Sequence, residues 1–231
     1  MYLSPPENII NEVRGLMPVS TMHMMARPLT LKEALIVAER QANLLLRLLS
    51  IAKPSVEVEL VMELPDIEVE VVPDMPESGT ADWKGEHWLI RINASDSLWR
   101  CRATLAHELK HVLDDPYMEV LYPGINPNLY HPPEAEPICE YFAGCLLVPR
   151  TWLTRAWANG LHDVTDLASL FDVSKRLMTV RLRQTSLLSS AANGLGPWLG
   201  HQRRRVQRLR GAARLTAKAA MLVRGREEAG V

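Results

Sequence analysis

The chain has 231 residues, of which 47% are hydrophobic and 23% charged, a composition typical of a soluble globular protein with a substantial core. No stretch approaches the roughly 18 uninterrupted apolar residues of a membrane-spanning helix, so we expect no association with a membrane. The formal net charge is −1, but residues 201–231 carry nine arginine or lysine side chains against two glutamates. A basic tail of +7 therefore follows an acidic body of −8.

Cysteine usage and the first residues bear on the compartment. The three cysteines, Cys101, Cys139 and Cys145, include no CxxC pair, which indicates free thiols in a reducing environment. The opening sequence MYLSPPENIINEV has no basic segment followed by an apolar run, so it lacks the pattern of a secretory signal. We therefore expect a cytoplasmic protein.

Residues 1–55 are predicted to form an N-terminal helical segment. Prolines punctuate residues 1–28 and predict irregular structure there. Thr30 and Glu33 have the spacing of a capping box, so a long helix is expected to begin after Thr30 and to end before Pro54. This segment could be a helical cap on the domain that follows or a docking surface for a partner.

Two segments in the middle of the chain are predicted to be strands. The sequence VEVELVMELPDIEVEVV (56–72) alternates apolar and acidic residues with a break at Pro65, as edge or half-buried strands do. Residues 73–85 have the composition of a turn, and EHWLIRIN (86–93) again places alternate apolar side chains on one face. We therefore expect a small sheet in this part of the chain.

Two helices are expected to follow the strands. Asp96 or Ser97 can cap a helix that runs through LWRCRATLAHELKHVL and stops near residues 114–116. After a loop rich in proline, asparagine and tyrosine (116–133), the sequence EAEPICEYFAGCLLV predicts the second helix. Pro137 fits this helix only in the first turn, where its missing N–H group costs nothing.

The segment LAHELKHVL (105–113) contains the pattern H-E-x-x-H. On a helix, His107 and His111 project from the same face and can share one zinc ion, which accepts imidazole nitrogen and prefers tetrahedral coordination. Glu108 lies at the edge of that face, where its carboxylate can take a proton from a water molecule on the ion. The alternative is an ordinary amphipathic helix with two incidental histidines.

A catalytic zinc ion needs a third protein ligand, and candidates lie downstream. Glu136 and Glu140 share one helical face in EPICE, so Glu136 could bind the ion while Glu140 hydrogen-bonds a ligand histidine. His131 in the preceding loop is a rival ligand, and Glu134 is a weaker one. The alternative for the two glutamates of EPICE is a solvated helix face.

Four blocks of the sequence together resemble the ImmA/IrrE metallopeptidases, gluzincin-like proteins that act on repressors. The blocks are SGTADWKGEHWLIRIN, RATLAHELKHVL, EPICEYFAGCLLVP and LASLFDVSKRLMTVRL, and they follow one another in the order of the family. The resemblance implies an α+β fold, in which a zincin-like metallopeptidase domain with a small sheet packed on the HExxH helix precedes a helix-turn-helix-like helical region. The domain would occupy residues 56–190, with the helix-turn-helix-like part at 165–185 and a basic C-terminal tail at 191–231.

Carried over residue by residue, the resemblance implies that Zn²⁺ is bound by His107, His111 and Glu136. It implies that Glu108 is the general base. Glu140 stands where the family usually has asparagine or aspartate, so its contact with a histidine would have to shift.

Two other departures from the family pattern lie beside these residues. Lys110 replaces a glycine that is common inside the motif, and it is expected to face away from the metal. Ile138 stands where a second glutamate is common, which leaves Glu136 less ambiguous as the third ligand.

The implied function is that of a zinc-dependent endopeptidase that hydrolyses a peptide bond in a partner protein. The expected substrate is a helix-turn-helix transcriptional repressor of a phage or mobile element, which would make the protein an anti-repressor. The alternative is a non-cleaving DNA-associated transcriptional regulator, which would use the pattern at 165–183 and the arginine-rich tail to contact phosphates. Basic side chains in that pattern are Lys175, Arg176, Arg181 and Arg183. The tail could equally be a solvated helix or bind an acidic partner.

Overall fold

The computed structural model describes residues 9–17, 29–121 and 135–188, apart from the side chains of residues 119 and 120. In chain order, the helices and strands are α1 (Ile9–Arg14), α2 (Leu31–Leu48), β1 (Ile67–Val72), β2 (Gly79–Trp83), β3 (Trp88–Asn93), α3 (Leu98–Asp114), α4 (Met118–Leu121), α5 (Glu136–Leu147), α6 (Arg150–Ala158), α7 (Val164–Phe171) and α8 (Lys175–Gln184). Short 3-10 helices occupy Val58–Glu63 and Asp115–Tyr117. The described residues as far as Thr185 form one compact unit, which has the mixed α+β class expected from the sequence.

β3 is the central strand of the described three-stranded sheet, whose order is β1–β3–β2. It pairs parallel with β1, where Ile67 lies opposite Trp88, and antiparallel with β2. This central position explains why β3 is buried on both faces, although its sequence predicted a single apolar face. The turn predicted for residues 73–85 is wrong at its centre, because Gly79–Trp83 is held extended by hydrogen bonds to β3 that local composition cannot indicate.

The strand predicted at the beginning of residues 56–72 is also wrong. Val58–Glu63 forms a 3-10 helix, and only Ile67–Val72 is a strand. Val58 and Val61 are buried, and a spacing of three residues repeats with each turn of a 3-10 helix. The alternation of apolar residues and glutamate covers only residues 56–60, which is too short to distinguish a strand from a 3-10 helix.

The four-residue α4 (Met118–Leu121) interrupts the loop predicted for residues 116–133, and two longer helices also have no counterpart in the prediction. α1 lies within residues 1–28, for which we predicted irregular structure; its apolar side chains are buried, and Arg14 donates a hydrogen bond of 2.7 Å to the carbonyl oxygen of Val112 in α3. α6 has only one buried residue, Leu153, so its sequence carries little amphipathic pattern. Both helices are short and are stabilised by tertiary packing rather than by local signals.

The longer helices begin at the predicted residues. The hydroxyl oxygen of Thr30 accepts a hydrogen bond of 3.3 Å from the N–H of Glu33, whose carboxylate accepts one of 2.8 Å from the N–H of Thr30. This reciprocal pair completes the capping box of α2. Ser97 caps α3, and Pro137 lies in the first turn of α5, as predicted.

The packing of α3 and α5 positions the candidate site. α3 packs against β2, β3 and α5, and α5 packs in turn against α2. On α2, the carboxylate of Glu39 accepts a hydrogen bond of 3.0 Å from the hydroxyl of Tyr141 in α5 and another of 3.0 Å from Arg150 in α6. The N-terminal helices are therefore part of the core that surrounds α3 and α5.

α7 and α8 form a pair of short helices around a turn at residues 172–174, within the region that the sequence predicts to be helix-turn-helix-like. Asp172 adopts a left-handed conformation, with φ of 53°, and ends α7. On α8, the Arg181 side chain is fully buried and donates hydrogen bonds of 3.2 and 3.3 Å to the carbonyl oxygen of Val148. One of the four basic residues of the pattern is thus buried in the domain and not available to a ligand. The interpretation of this helix pair as a DNA-binding helix-turn-helix stays a prediction.

Some of the sequence predictions fall on residues that the structure does not describe. His131, Glu134 and the basic tail at 191–231 lie outside the described residues, so their roles stay predictions. Among the helices of the described residues, none combines the length and the apolar character needed to cross a membrane.

Candidate metal centre

α3 presents two imidazoles on one face, as the spacing of the motif predicts. Nε2 of His107 and Nε2 of His111 lie 3.2 Å apart. The apolar residues Leu105 and Leu109, on either side of His107 in the sequence, are buried and hold the helix in the core. The His107 side chain is 18% exposed and that of His111 only 5%, so one imidazole borders solvent and the other closes the inner end of the site.

Glu136 brings a carboxylate to the same two nitrogens. Its Oε2 lies 3.3 Å from Nε2 of His107, and its Oε1 lies 3.5 Å from Nε2 of His111. Pro137 belongs to the first turn of α5, which places Glu136 at the N-terminal end of this helix. The packing of α5 against α3 then carries that end to the two imidazoles.

These separations are close to those between the ligand atoms of a tetrahedral zinc site. Ligand atoms at 2.0–2.1 Å from a zinc ion are about 3.3–3.4 Å apart along the edges of a tetrahedron. The two nitrogens are 3.2 Å apart here, and each lies 3.3 or 3.5 Å from a different oxygen of the Glu136 carboxylate. Two imidazole nitrogens and a carboxylate oxygen are ligands that zinc prefers, and three protein ligands are the number found in catalytic zinc sites.

Cys139 contacts the other ring nitrogen of His111, with 3.7 Å between Sγ and Nδ1. Cys139, His107 and His111 also form a group whose candidate ligand atoms lie within 4.8 Å of one another. The thiol is fully buried, and this burial raises the pKa of Cys139 well above its usual range. Because Nδ1 and Nε2 lie on opposite sides of the ring, Cys139 and Glu136 approach His111 from different directions.

Glu108 follows His107 on α3 and is almost fully buried, with 6% of its surface exposed. Burial raises the pKa of Glu108 to about 7; the charge of His111 opposes this shift, and the charges of Glu136 and Asp82 add to it. A carboxyl group with a pKa near neutrality can both accept and return a proton. The pKa of Glu108 therefore lies where a carboxyl group can take up or release a proton near neutral pH.

Gly79, the first residue of β2, allows the sheet to approach α3 beside Glu108. A Cβ atom at this position would overlap Cγ2 of Thr104 and would lie 3.0 Å from the carbonyl oxygen of Arg91. It would also lie 3.2 Å from Cγ of Glu108. The burial of Glu108, which raises its pKa, thus depends on a glycine whose role the sequence pattern did not indicate.

Lys110 faces away from the metal-binding atoms, as expected from the sequence. Its ammonium forms an ion pair with Asp114 on the same helix and donates a hydrogen bond of 2.9 Å to Oε1 of Gln41 on α2. The Lys110 and Asp114 side chains are each 1% exposed. Nε2 of Gln41 donates in turn to the carbonyl oxygen of Val13, 3.4 Å away, so this network joins α3 to both N-terminal helices.

The structure does not bring Glu140 to the histidines, where the sequence placed it as a hydrogen-bonding carboxylate. Glu140 is exposed, and within the described part of the chain it makes no hydrogen bond to His107 or His111. The contact with His111 is made by Cys139 instead. Positions three and four residues after Glu136 diverge by about 100° around a helix, and here the former turns towards α3 and the latter towards solvent.

Comparison with known proteins identifies the family to which the chain belongs. Residues 62–183, more than half of the chain, match the family described as the IrrE N-terminal-like domain, Peptidase_M78. Among solved structures, a Mycobacterium tuberculosis transcriptional regulator is similar to 75% of this chain, with 18% identity and a TM-score of 0.48. The chain covers 51% of that protein, about half of its length. Curated protein sequences give no match.

Proposed function

Since the chain belongs to the IrrE N-terminal-like family of M78 peptidases, we propose that it is a zinc-dependent endopeptidase that hydrolyses a peptide bond in a partner protein. One observation carries the proposal: the carboxylate of Glu136, on α5, lies 3.3–3.5 Å from the imidazole nitrogens of His107 and His111, which are themselves 3.2 Å apart on the face of α3 that carries the motif. Glu108, with a pKa of about 7, lies beside them.

His107, His111 and Glu136 would hold the ion. When bound, zinc supplies a Lewis acid that polarises the scissile carbonyl and makes a water molecule more acidic. The Glu136 side chain is 47% exposed, whereas that of His111 is 5% exposed. A substrate is therefore expected to reach the site from the side of Glu136.

Glu108 would move the proton during hydrolysis. As the water oxygen forms its bond to the carbonyl carbon, a proton passes from the water to a carboxylate oxygen of Glu108. As the C–N bond breaks, Glu108 returns this proton to the leaving nitrogen. In the metal-free protein, burial raises the pKa of Glu108 to about 7, so this carboxyl group readily takes up a proton, which supports the proposed role.

The position of β2 supports an extended segment of protein as the substrate. β2 is an edge strand of the described sheet, and it begins at Gly79, against the side chain of Glu108. An edge strand can pair with an extended peptide through main-chain hydrogen bonds. The narrower proposal, a helix-turn-helix repressor of a phage or mobile element, is based on the resemblance to the ImmA/IrrE metallopeptidases.

The first test is the zinc content of protein purified without a metal-affinity tag, measured by elemental mass spectrometry. We expect about one zinc ion per chain in the parent and loss of zinc in Glu136→Ala. Glu140→Ala is the matched control, because it removes an exposed carboxylate one turn further along α5 and should retain zinc. His131→Ala tests the rival ligand. Full zinc content in Glu136→Ala would contradict the ligand set.

The second test separates metal binding from catalysis. Glu108→Gln should retain zinc, because Glu108 is not a ligand in the proposed site, but it should abolish proteolysis because the amide cannot accept the proton. Mass spectrometry of protein N-termini, in host cells that produce either the parent or this variant, would reveal the cleaved partner. New N-termini that appear equally with Glu108→Gln would exclude the proposed mechanism.

One observation favours a second candidate function, that of a DNA-associated regulator that does not cleave. α8 exposes Lys175, Arg176 and Arg183, which could contact phosphates. Arg181 cannot join them while its guanidinium remains buried against Val148. Binding of a random-sequence duplex at increasing salt, by the intact protein and after deletion of residues 201–231, tests this function. An intact protein without DNA affinity would remove it.

A further inference from the structure

We propose that Cys139 is a positioning residue for His111, which it holds through Nδ1 so that Nε2 faces His107 and Glu136. This inference rests on the proposed zinc site. It starts from the 3.7 Å contact between Sγ of Cys139 and Nδ1 of His111, which lies within hydrogen-bonding distance for sulfur. Both side chains are buried, so no bulk water competes for this contact.

The direction of the hydrogen bond follows from the role of the other nitrogen. An imidazole that binds a metal through Nε2 uses the lone pair of that atom, so its ring proton resides on Nδ1. Nδ1–H of His111 therefore donates to Sγ of Cys139. Such an outer hydrogen bond fixes both the tautomer and the orientation of a ligand histidine.

A cysteine in this place has a chemical consequence. The outer partner of a metal-binding histidine is usually a carboxylate, a backbone carbonyl or water, and an anionic partner raises the basicity of the imidazole. A neutral thiol is a weaker acceptor and raises it less. His111 is therefore oriented by Cys139 without being made strongly basic, and it is expected to bind zinc less tightly than a histidine held by a carboxylate.

The position of Cys139 on α5 strengthens the inference. Cys139 follows Glu136 by three residues on the same helix, so α5 supplies both a proposed ligand and the group that orients a second ligand. Cys145 lies further along this helix and is also buried, but its thiol interacts with Tyr141 instead of with a histidine. Cys145 is therefore a matched control for the loss of a buried thiol.

The test is the dissociation constant for zinc, measured by competition with a chromophoric chelator. Cys139→Ala should weaken zinc binding about 10-fold or more, as other losses of an outer hydrogen bond do. Cys139→Ser retains an acceptor and should stay within about threefold of the parent. Cys145→Ala should bind zinc as the parent does. Parental affinity in Cys139→Ala would overturn the inference.

A spectroscopic measurement distinguishes positioning from direct ligation. With cobalt(II) in place of zinc, the parent should show no thiolate-to-cobalt charge-transfer band, because Sγ of Cys139 contacts Nδ1 and not the metal. A strong band in the parent that is lost in Cys139→Ser would make Cys139 a ligand and would overturn the inference. In the zinc-loaded parent, nuclear magnetic resonance should detect a slowly exchanging proton on Nδ1 of His111, which should exchange faster in Cys139→Ala.

These outcomes separate the inference from the proposed function. A folded parent that binds no zinc would remove the proposed metal site itself. A parent that binds zinc as tightly as Cys139→Ala would remove only the role of Cys139. If Cys139→Ala does not fold, Cys139→Val, which fills a similar volume without an acceptor, replaces it in the affinity measurement, and parental affinity in Cys139→Val would overturn the inference.

Discussion

α3 carries one group of ionisable side chains that faces α2 and another that faces α5. The two groups differ in the partners that balance their charges. Towards α2, Lys110 and Asp114 neutralise each other, and Gln41 accepts a further hydrogen bond from the ammonium. Towards α5, two imidazole nitrogens and the carboxylate of Glu136 converge within 3.2–3.5 Å, and Glu136 is about half exposed. The first group is a closed buried ion pair, whereas the second is an accessible set of lone-pair donors.

The difference separates a structural charge cluster from a binding site on the same helix. A buried ion pair with its hydrogen bonds completed inside the protein needs no further component. A set of nitrogen and oxygen atoms directed at one point gains most from a cation held between them. Zinc should therefore change the effect of a substitution on the free energy of unfolding where the residue faces α5, and should not change it where the residue faces α2.

The largest effect is expected for Lys110→Met, which leaves Asp114 as an uncompensated buried charge. Removal of one partner of a buried pair costs about 3–5 kcal/mol, so the free energy of unfolding of the zinc-free protein should fall by that amount. Urea denaturation measures it. Lys84→Met is the control, since Lys84 is 39% exposed and lies 3.8 Å from Asp82, and it should cost less than about 1 kcal/mol. Equal effects of the two substitutions would contradict a closed ion pair.

His107→Ala, unlike Lys110→Met, should have its main effect on stability when zinc is present. Without zinc, this partly exposed side chain should contribute less than about 1 kcal/mol to the free energy of unfolding. With free zinc at about 100 times its dissociation constant, the parent should gain about 2.7 kcal/mol, and His107→Ala should gain almost none. Thermal denaturation with and without zinc measures the difference. A stabilisation by zinc that survives in His107→Ala would place the metal elsewhere.

Gly79→Ala tests how closely β2 must approach α3. The added Cβ would overlap Cγ2 of Thr104, so we expect a loss of about 1–3 kcal/mol in the free energy of unfolding. Combining it with Thr104→Ser, which removes that methyl group, should recover part of the loss. Urea denaturation of the single and double variants measures both. No recovery would mean that the contact with the Arg91 carbonyl, 3.0 Å from the added atom, dominates.

The smallest effect is expected at Asp163, which caps α7 and belongs to neither of the two groups on α3. Its substitution shows how large an effect the loss of an ordinary helix cap has on stability. Backbone N–H groups of Asp166 and Thr165 bond its carboxylate and lower the pKa of Asp163. A lowered pKa in the folded state means that the carboxylate stabilises the protein above its unfolded pKa, and that this contribution is lost as pH falls through the folded pKa. Asp163→Ala should cost about 1 kcal/mol at pH 7 and less in acid. The free energy of unfolding of the parent and of Asp163→Ala, measured from pH 7 into acid, checks this expectation. An equal cost of the substitution at both ends of this range would contradict it.

The helices that carry the site could be predicted from the sequence because their signals are local. A capping serine, a periodic apolar face and a proline in the first turn fixed where α3 and α5 begin. The strands were harder, since β2 depends on hydrogen bonds to β3 and its residues have the composition of a turn. The 3-10 helix at Val58–Glu63 was missed because Val56, Val58 and Leu60 alternate with glutamates as in a strand, although the buried Val58 and Val61 are three residues apart.

Part of the site could be predicted in the same way. Helical spacing places His107 and His111 on one face, and the resemblance to a known family implied that Glu136 joins them. The exchange of Glu140 for Cys139 at His111 could not be predicted, because it depends on the rotation of α5 about its own axis against α3. Nor does the sequence reveal that Gly79 permits the burial of Glu108, which is a contact between distant segments.

The network of Lys110 has a practical consequence for work with shortened versions of the protein. A fragment trimmed to the family match, residues 62–183, would omit α1 and α2 and with them Gln41. It would expose the Lys110 ammonium and the surface of α5 that packs against α2. Such a fragment is expected to lose its fold before any chemistry can be measured, so an inactive short form would report on the missing helices rather than on Glu108.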